Sequence, residues 1–143
     1  MKVFLDTNFI MDLFGREPDP TTGINPYEEN AIKVIDKGNL NKIEFCSSFL
    51  SIANFAYLLR KTNPKILFNQ ITTICELFTI IPNDEKHLLY ALDLKPKDFE
   101  DAVQYQTAIS ANCDCILTRN KKDFTFSQLP LYTPTEFLSL LSQ

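Results

Sequence analysis

A mostly parallel α/β sheet flanked by helices is the fold class that this sequence predicts. Three observations carry the prediction. Short apolar runs alternate with longer amphipathic segments, and strands separated by helices pair in parallel. Helix-start signals (Asn25-Pro26, Asn63-Pro64 and Thr133-Pro134-Thr135-Glu136) fall between those runs. Acidic residues also stand just past two of them, Asp6 after Met1–Leu5 and Asp123 after Cys115-Ile116-Leu117, and ligands bind at the carboxyl ends of parallel strands.

Each element has a local reason. Lys2–Leu5 is short and almost wholly apolar, as a buried strand is. Thr7–Phe14 starts a helix with Phe9, Ile10, Leu13 and Phe14 on one stripe, and residues 15–25 carry prolines and turn formers, hence a loop. Asn25-Pro26 supplies an N-cap and a first-turn proline, Glu28 and Glu29 suit the helix N-terminus, and Gly38 is the expected C′ stop. A second strand is expected over Lys42–Cys46, followed by a helix capped by Ser47 or Ser48 and running to Lys61. Phe49, Ile52, Ala53, Phe55, Ala56 and Leu59 repeat along it at helical spacing. Asn63-Pro64 restarts a helix toward Glu76, and Leu77–Ile81 is a β-branched third strand bounded by Pro82. Asn83 caps a short helix from Asp84 to Leu92, and Asp98 caps the next, Phe99–Ala111. Cys113–Leu117 is the fourth strand and Pro130-Leu131-Tyr132 a short edge strand. The Thr133/Glu136 capping box opens the last helix, to Leu141.

At 143 residues the chain reads as a single domain, 1–143, long enough to bury about 70% of its unfolded surface. With 45% hydrophobic and 22% charged residues and only three glycines, it is globular, and it has no Gly-rich phosphate loop. No apolar stretch approaches roughly 18 residues, and the start lacks a basic and an apolar leader region, so neither a membrane span nor a secretory signal is expected. A cytoplasmic protein is the expectation. Cys46, Cys75, Cys113 and Cys115 are read as free thiols, because Cys113-x-Cys115 is too tight for a zinc half-site and His87 is the single histidine. His87 is placed on a helix surface. The net charge of −4 and pI of about 4.9 argue against broad non-specific nucleic-acid binding and suit a basic partner protein.

The chemistry lies in acids on separate stretches. Asp6 opens Asp6-Thr7-Asn8, Glu100 and Asp101 open a helix, and Asp123 closes Thr118–Asp123. Carboxylates crowded into one crevice repel unless a hard cation neutralises them, and Mg²⁺ or Mn²⁺ prefers such oxygens. Metal-assisted hydrolysis of a phosphodiester is the chemistry this suggests. Bland readings stand beside it. Asp6 also suits an N-cap, Glu100 and Asp101 also suit a helix dipole, and Asp123 also suits a turn. Asn54, polar on an apolar helix, is placed facing the crevice, since a buried amide needs partners.

Asp6-Thr7-Asn8, Asp98-Phe99-Glu100-Asp101-Ala102 and Thr118-Arg119-Asn120-x-x-Asp123-Phe124, ending in Tyr132-Thr133-Pro134-x-Glu136-Phe137-Leu138, together resemble a PIN-domain protein over essentially the whole chain. The resemblance implies a small, mostly parallel sheet flanked by helices, an α/β/α sandwich. It implies a Mg²⁺- or Mn²⁺-dependent ribonuclease, VapC-like, with an RNA substrate, a small antitoxin partner and frequent homodimers. Position by position, Asp6 and Asp101 match acidic metal ligands, and Asn8 and Thr118 match polar residues that hold ligands and water. Asp123 is the expected third metal ligand, with Glu100 in support. Asn54 stands where many members have glutamate, and Asn120 where many have aspartate. Each exchange removes a charge and keeps an oxygen, which implies weaker metal holding than an all-carboxylate site. Asn54 and Asn120 are expected to position ligands and water. Arg119, with Lys121 and Lys122 behind it, is the expected phosphate clamp. A non-catalytic RNA-binding or protein-interaction module on the same fold is the alternative. A phosphatase using Asp6 as nucleophile is disfavoured, because Asn8 stands where a second aspartate is wanted.

Overall fold

The computed structural model describes residues 1–15 and 18–143; the part of the predicted 15–25 loop at positions 16 and 17 lies outside them. Five strands form one sheet in the order β3-β2-β1-β4-β5, and every pairing is parallel. They are β1 (Lys2–Leu5), β2 (Glu44–Ser48), β3 (Thr79–Ile81), β4 (Cys115–Leu117) and β5 (Leu131–Tyr132). The chain builds outward from β1 to β3, then returns to the other side of β1 for β4. Such a reversal opens a crevice at the strand ends, here between β1 and β4.

Strand alternation feeds two cores. Val3, Leu5, Phe45, Cys115 and Leu117 face one layer, packed by Phe9, Ile10, Val34, Phe55, Ile74 and Phe137. Phe4, Cys46 and Ile116 face the other, against Tyr105, Ala108 and Phe124. The first layer holds helices α1 (Thr7–Ile10), α2 (Glu28–Leu40), α3 (Phe49–Leu58), α4 (Pro64–Leu77) and α7 (Pro134–Leu141). The second holds α6 (Phe99–Ser110), with α5 (Glu85–Asp93) packed on it. This is the three-layer arrangement expected.

Several boundaries differ from expectation, each for a local reason. The helix expected over Thr7–Phe14 is α-helical only to Ile10 and continues as a π-helical turn, Met11–Gly15. Asn25 does not cap α2: its side chain accepts from Tyr27 N at 3.0 Å and donates to Asp12 O at 3.1 Å, closing the preceding turn. Gly38 does not end α2 but sits inside it, because a Cβ there would collide with the buried ring of Phe45. The stop comes later, at Asn41 and the left-handed Lys42 (φ 56°). The second strand starts two residues late and includes both serines, with Ser48 capping α3. Helix α3 ends at Leu58 rather than Lys61, and the third and fourth strands are each two residues shorter than expected.

Asp84, not Asn83, caps α5, in a capping box with His87. That corrects His87 as well, which is buried, its Nδ1 accepting from Asp84 N at 3.0 Å and its Nε2 2.8 Å from Ser110 Oγ. Asn83 instead bridges α3 and α6, accepting from Leu50 N at 2.8 Å and donating to Thr107 Oγ1 at 2.7 Å. All four cysteines are free, three of them buried, with Cys75 exposed.

Gly38 yields the first prediction. In most helix interiors Gly→Ala stabilises by about 0.5–1 kcal/mol. Here the new Cβ would overlap the tip of the Phe45 ring, which is itself buried, and overpacking costs about 1–3 kcal/mol. Gly38→Ala should therefore destabilise in urea unfolding, and adding Phe45→Leu should recover part of the loss. A more stable single variant contradicts the packing.

Candidate active site

The crevice beyond the ends of β1 and β4 has a volume of about 560 Å³. Asp6, Asn8, Asn54, Glu100, Asp101, Asn120 and Asp123 all line it, joined by Tyr57. Thus seven residues from four separate stretches meet in one place. Asp6 arrives as the residue after β1 and caps α1, so it serves as cap and wall together: its Oδ1 accepts from Thr7 N at 2.8 Å. Its Oδ2 accepts from Thr118 Oγ1 at 2.9 Å and from Asn8 Nδ2 at 3.1 Å. Asn8 Nδ2 also donates to Thr118 Oγ1 at 3.2 Å, and that oxygen accepts from Asn120 N at 3.1 Å. Asp98 caps α6 through Asp101 N at 3.3 Å, which leaves Glu100 and Asp101 in the first turn facing Asp6. Asp123 sits exposed in the 3₁₀ turn Lys121–Phe124, at the rim.

The electrostatics are adverse without a counter-charge. Burial is the main cause that pushes Asp6 up to about 6, opposed by its hydrogen bonds to Thr118 and Thr7 and aided by the charges of Glu100 and Asp123. Burial also leads for Asp101, pushed up to about 7, followed by the charges of Asp6, Asp98, Asp123 and Glu100. Both carboxyls therefore resist ionising together.

The donor set fits a hard cation. Carboxylates and amide oxygens dominate the wall, and Asn8 Oδ1 and Asn54 Nδ2 are buried without hydrogen-bond partners, a costly condition for polar atoms. Asn8 Oδ1 is the kind of oxygen that a cation or its water satisfies. Among the described residues no three acidic, histidine or cysteine side chains form a ready ligand cage. The fit is therefore to an ion that keeps much of its water, as Mg²⁺ does.

Beneath the crevice lies a feature that the sequence reading missed. Gln104 is fully buried three residues past Asp101. Its Oε1 accepts from Ser48 Oγ, and its Nε2 donates to Ser51 Oγ at 2.7 Å and Thr7 Oγ1 at 3.4 Å. Thr7 Oγ1 donates to Ser51 Oγ at 3.0 Å. The available signal was a polar residue one helical turn from Asp101, on the face that also carries Ala108.

The expected phosphate clamp lies elsewhere. Arg119 Nε and Nη2 donate to buried Asp12 at 2.7 and 3.2 Å, and its guanidinium stacks 3.8 Å from the Tyr27 ring centre. Arg119 borders a separate depression with Asn30 and Thr135, so its fork is committed to structure. Lys121 is turned to Glu136, 3.0 Å away, on α7. Lys122 borders a cavity adjoining the crevice.

Raised folded-state values mean that Asp6 and Asp101 hold protons more tightly folded than unfolded. Their contribution to stability is complete below about pH 4 and is lost as pH rises through about 6 and 7. In chelator, Asp101→Asn should thus gain thermal stability over the parent as pH rises from 5 to 8; a difference that ignores pH contradicts the coupling. Gln104→Leu strands buried hydroxyls, costing roughly 1–3 kcal/mol, and should also weaken Mn²⁺ binding by calorimetry. Val34→Ala, a core truncation distant from the crevice, should destabilise comparably and leave that affinity intact. Equal Mn²⁺ affinity in parent and Gln104→Leu contradicts the positioning role.

Comparison with known proteins fits this geometry. The PIN-domain family profile matches residues 2–122. The chain is 30% identical over 141 residues to Ribonuclease VapC1 of Aquifex aeolicus, covering 95% of this chain and 92% of that protein. Among solved structures, VapBC-1 from nontypeable Haemophilus influenzae is similar with a TM-score of 0.70 and 21% identity, over 94% of this chain and 99% of that one. A toxin–antitoxin complex from Klebsiella pneumoniae gives 0.64 and 20%, over 92% and 97%. Asp6, Asp101 and the switch-point crevice thus sit in a chain that belongs to the PIN-domain family.

Proposed function

We propose that the chain is a divalent-cation-dependent endoribonuclease of the VapC type, acting as the toxin of a toxin–antitoxin pair. The observation that carries this reading is the convergence of Asp6, Glu100, Asp101 and Asp123 on one crevice at the β1–β4 switch point. Its 30% identity to a VapC ribonuclease supports the substrate class, and the fold shared with a toxin–antitoxin complex is consistent with an antitoxin partner. A second copy of the chain is the further partner this reading brings. No helix among the described residues is long and apolar enough to cross a membrane, and the cytoplasm is the compartment proposed.

Asp6 and Asp101 would hold Mg²⁺ or Mn²⁺, with Asp123 and Glu100 at the rim. When bound, such a cation acidifies a water and polarises a phosphodiester. The chain's own groups do the rest. Thr118 and Asn8 pin Asp6 Oδ2, so that carboxylate enters the crevice in one orientation. Asn54 and Asn120 present amides where further charge would raise the repulsion. His87 takes no part in proton transfer, because both ring nitrogens are engaged with Asp84 and Ser110. Substrate phosphates are not held by Arg119, whose fork is on Asp12.

The two asparagines and the lack of a ready acidic cage among the described residues favour one other reading, a non-catalytic module on the same fold. Activity separates them. With Mn²⁺, the parent should cleave single-stranded RNA, and chelator should stop it. Losing several kcal/mol of charge stabilisation corresponds to a rate loss of about a hundredfold or more, which Asp6→Asn and Asp101→Asn should each show while remaining folded. Variants that cut as fast as the parent would remove the crevice from the chemistry, and an inert parent favours the module.

A further inference from the structure

A second cavity, about 580 Å³, opens beside the acidic crevice and shares Asp98 and Asp123 with it as common walls. Its other side is basic. Lys95 and Lys97 project from the α5–α6 connection and Lys122 from the 3₁₀ turn, all three exposed. The connection is bent there by Lys95 in the left-handed region (φ 48°) and by Pro96. No ion pair is formed by these lysines among the described residues, whereas Lys121 next door is tied to Glu136. On a chain of net charge −4, three uncommitted ammonium groups around one cavity are a local exception. Phe126 completes the wall, and its ring is held edge-on by Tyr105 and tilted against Phe124, with centroids 5.3 and 6.0 Å away.

We propose that this trough carries the RNA strand next to the scissile phosphate, Lys95, Lys97 and Lys122 meeting backbone phosphates and Phe126 offering a face to a base. The inference rests on the ribonuclease reading and deepens it. Single-strand binders pair a cationic groove with an aromatic platform, and both are present side by side. Lysine suits this role as a point charge that tolerates any strand geometry. Continuity with the crevice matters most: the trough shares Asp98 and Asp123 with it, so a strand lying at Asp6 and Asp101 can extend directly into the trough. An acidic peptide would find the lysines but have no use for the ring. The trough also supplies the phosphate contacts that Arg119 does not.

The test is the salt dependence of binding to a labelled 2′-O-methyl single-stranded RNA, which resists cleavage, with and without Lys95→Gln, Lys97→Gln and Lys122→Gln combined. These surface exchanges leave both cores untouched. Each lost phosphate contact on a single strand lowers the slope of log K against log salt by about 0.7. The triple variant should therefore lose about 2 from the slope and bind about tenfold or more weakly at 0.1 M salt. A parent that cleaves RNA beside a variant of unchanged slope and affinity overturns the trough alone. A parent with no salt-dependent RNA binding overturns the trough and the ribonuclease reading together. RNA binding preserved in the variant with loss of a co-expressed antitoxin assigns the lysines to a protein partner and also overturns it.

Discussion

The walls of the crevice are tied together beneath it by one buried amide, that of Gln104. Gln104 hydrogen-bonds the residue that ends β2 (Ser48), the first turn of α3 (Ser51) and the first residue of α1 (Thr7). Each partner stands close in sequence to a crevice residue: Thr7 follows Asp6, Ser51 lies one helical turn before Asn54, and Gln104 itself lies one turn after Asp101. Fixing these groups fixes the spacing of three walls. Neutral hydrogen bonds contribute about 1 kcal/mol each, but an unpaired buried partner costs more. The network therefore penalises wrong arrangements more than it rewards the right one, which is how a polar core specifies geometry.

That geometry opposes the stability of the chain alone. Burial raises the proton affinity of Asp6 and of Asp101, Glu100 and Asp123 add to it at both, and Asp6 adds to it at Asp101. Thr118 and Asn8 offset part of the cost by donating to Asp6. Asn54 and Asn120 limit it further by placing amides where carboxylates would deepen the repulsion. On the proposed reading, the same amides leave fewer charges to hold a cation, so a less strained crevice comes with weaker metal affinity.

Much of the fold could be read from residues because local chemistry decided it. The apolar runs became β1 to β5, and the Asp98 and Thr133 caps stand where expected. Ser48 is the one of the two candidate serines that caps α3, and Asn63-Pro64 does restart a helix, since capping depends on neighbours in sequence. The convergence of Asp6, Asp101 and Asp123 followed from strand ends meeting at a switch point. Long-range packing was less accessible. Gly38 resembled a helix stop, but a ring arriving from β2 demands it. Asn83 and Asp84 are both cap-forming residue types, and the contacts of Asn83 with Leu50 on α3 and Thr107 on α6 separate their roles. Arg119 was placed near phosphate because of its neighbours in sequence, while buried Asp12, over a hundred residues earlier, claims its fork. The role of Gln104 was hidden for the same reason, as its partners come from Thr7 and from the distant junction at Ser48 and Ser51.

The walls of the crevice are proposed to meet around a cation. Mn²⁺ scatters anomalously, so a crystal of the full chain grown or soaked with Mn²⁺ tests it most directly. An anomalous peak is expected inside the crevice, between the carboxylates of Asp6 and Asp101, and is expected to be lost in Asp101→Asn. A peak at another surface, or a crevice that stays empty at millimolar Mn²⁺ above pH 7, would contradict it.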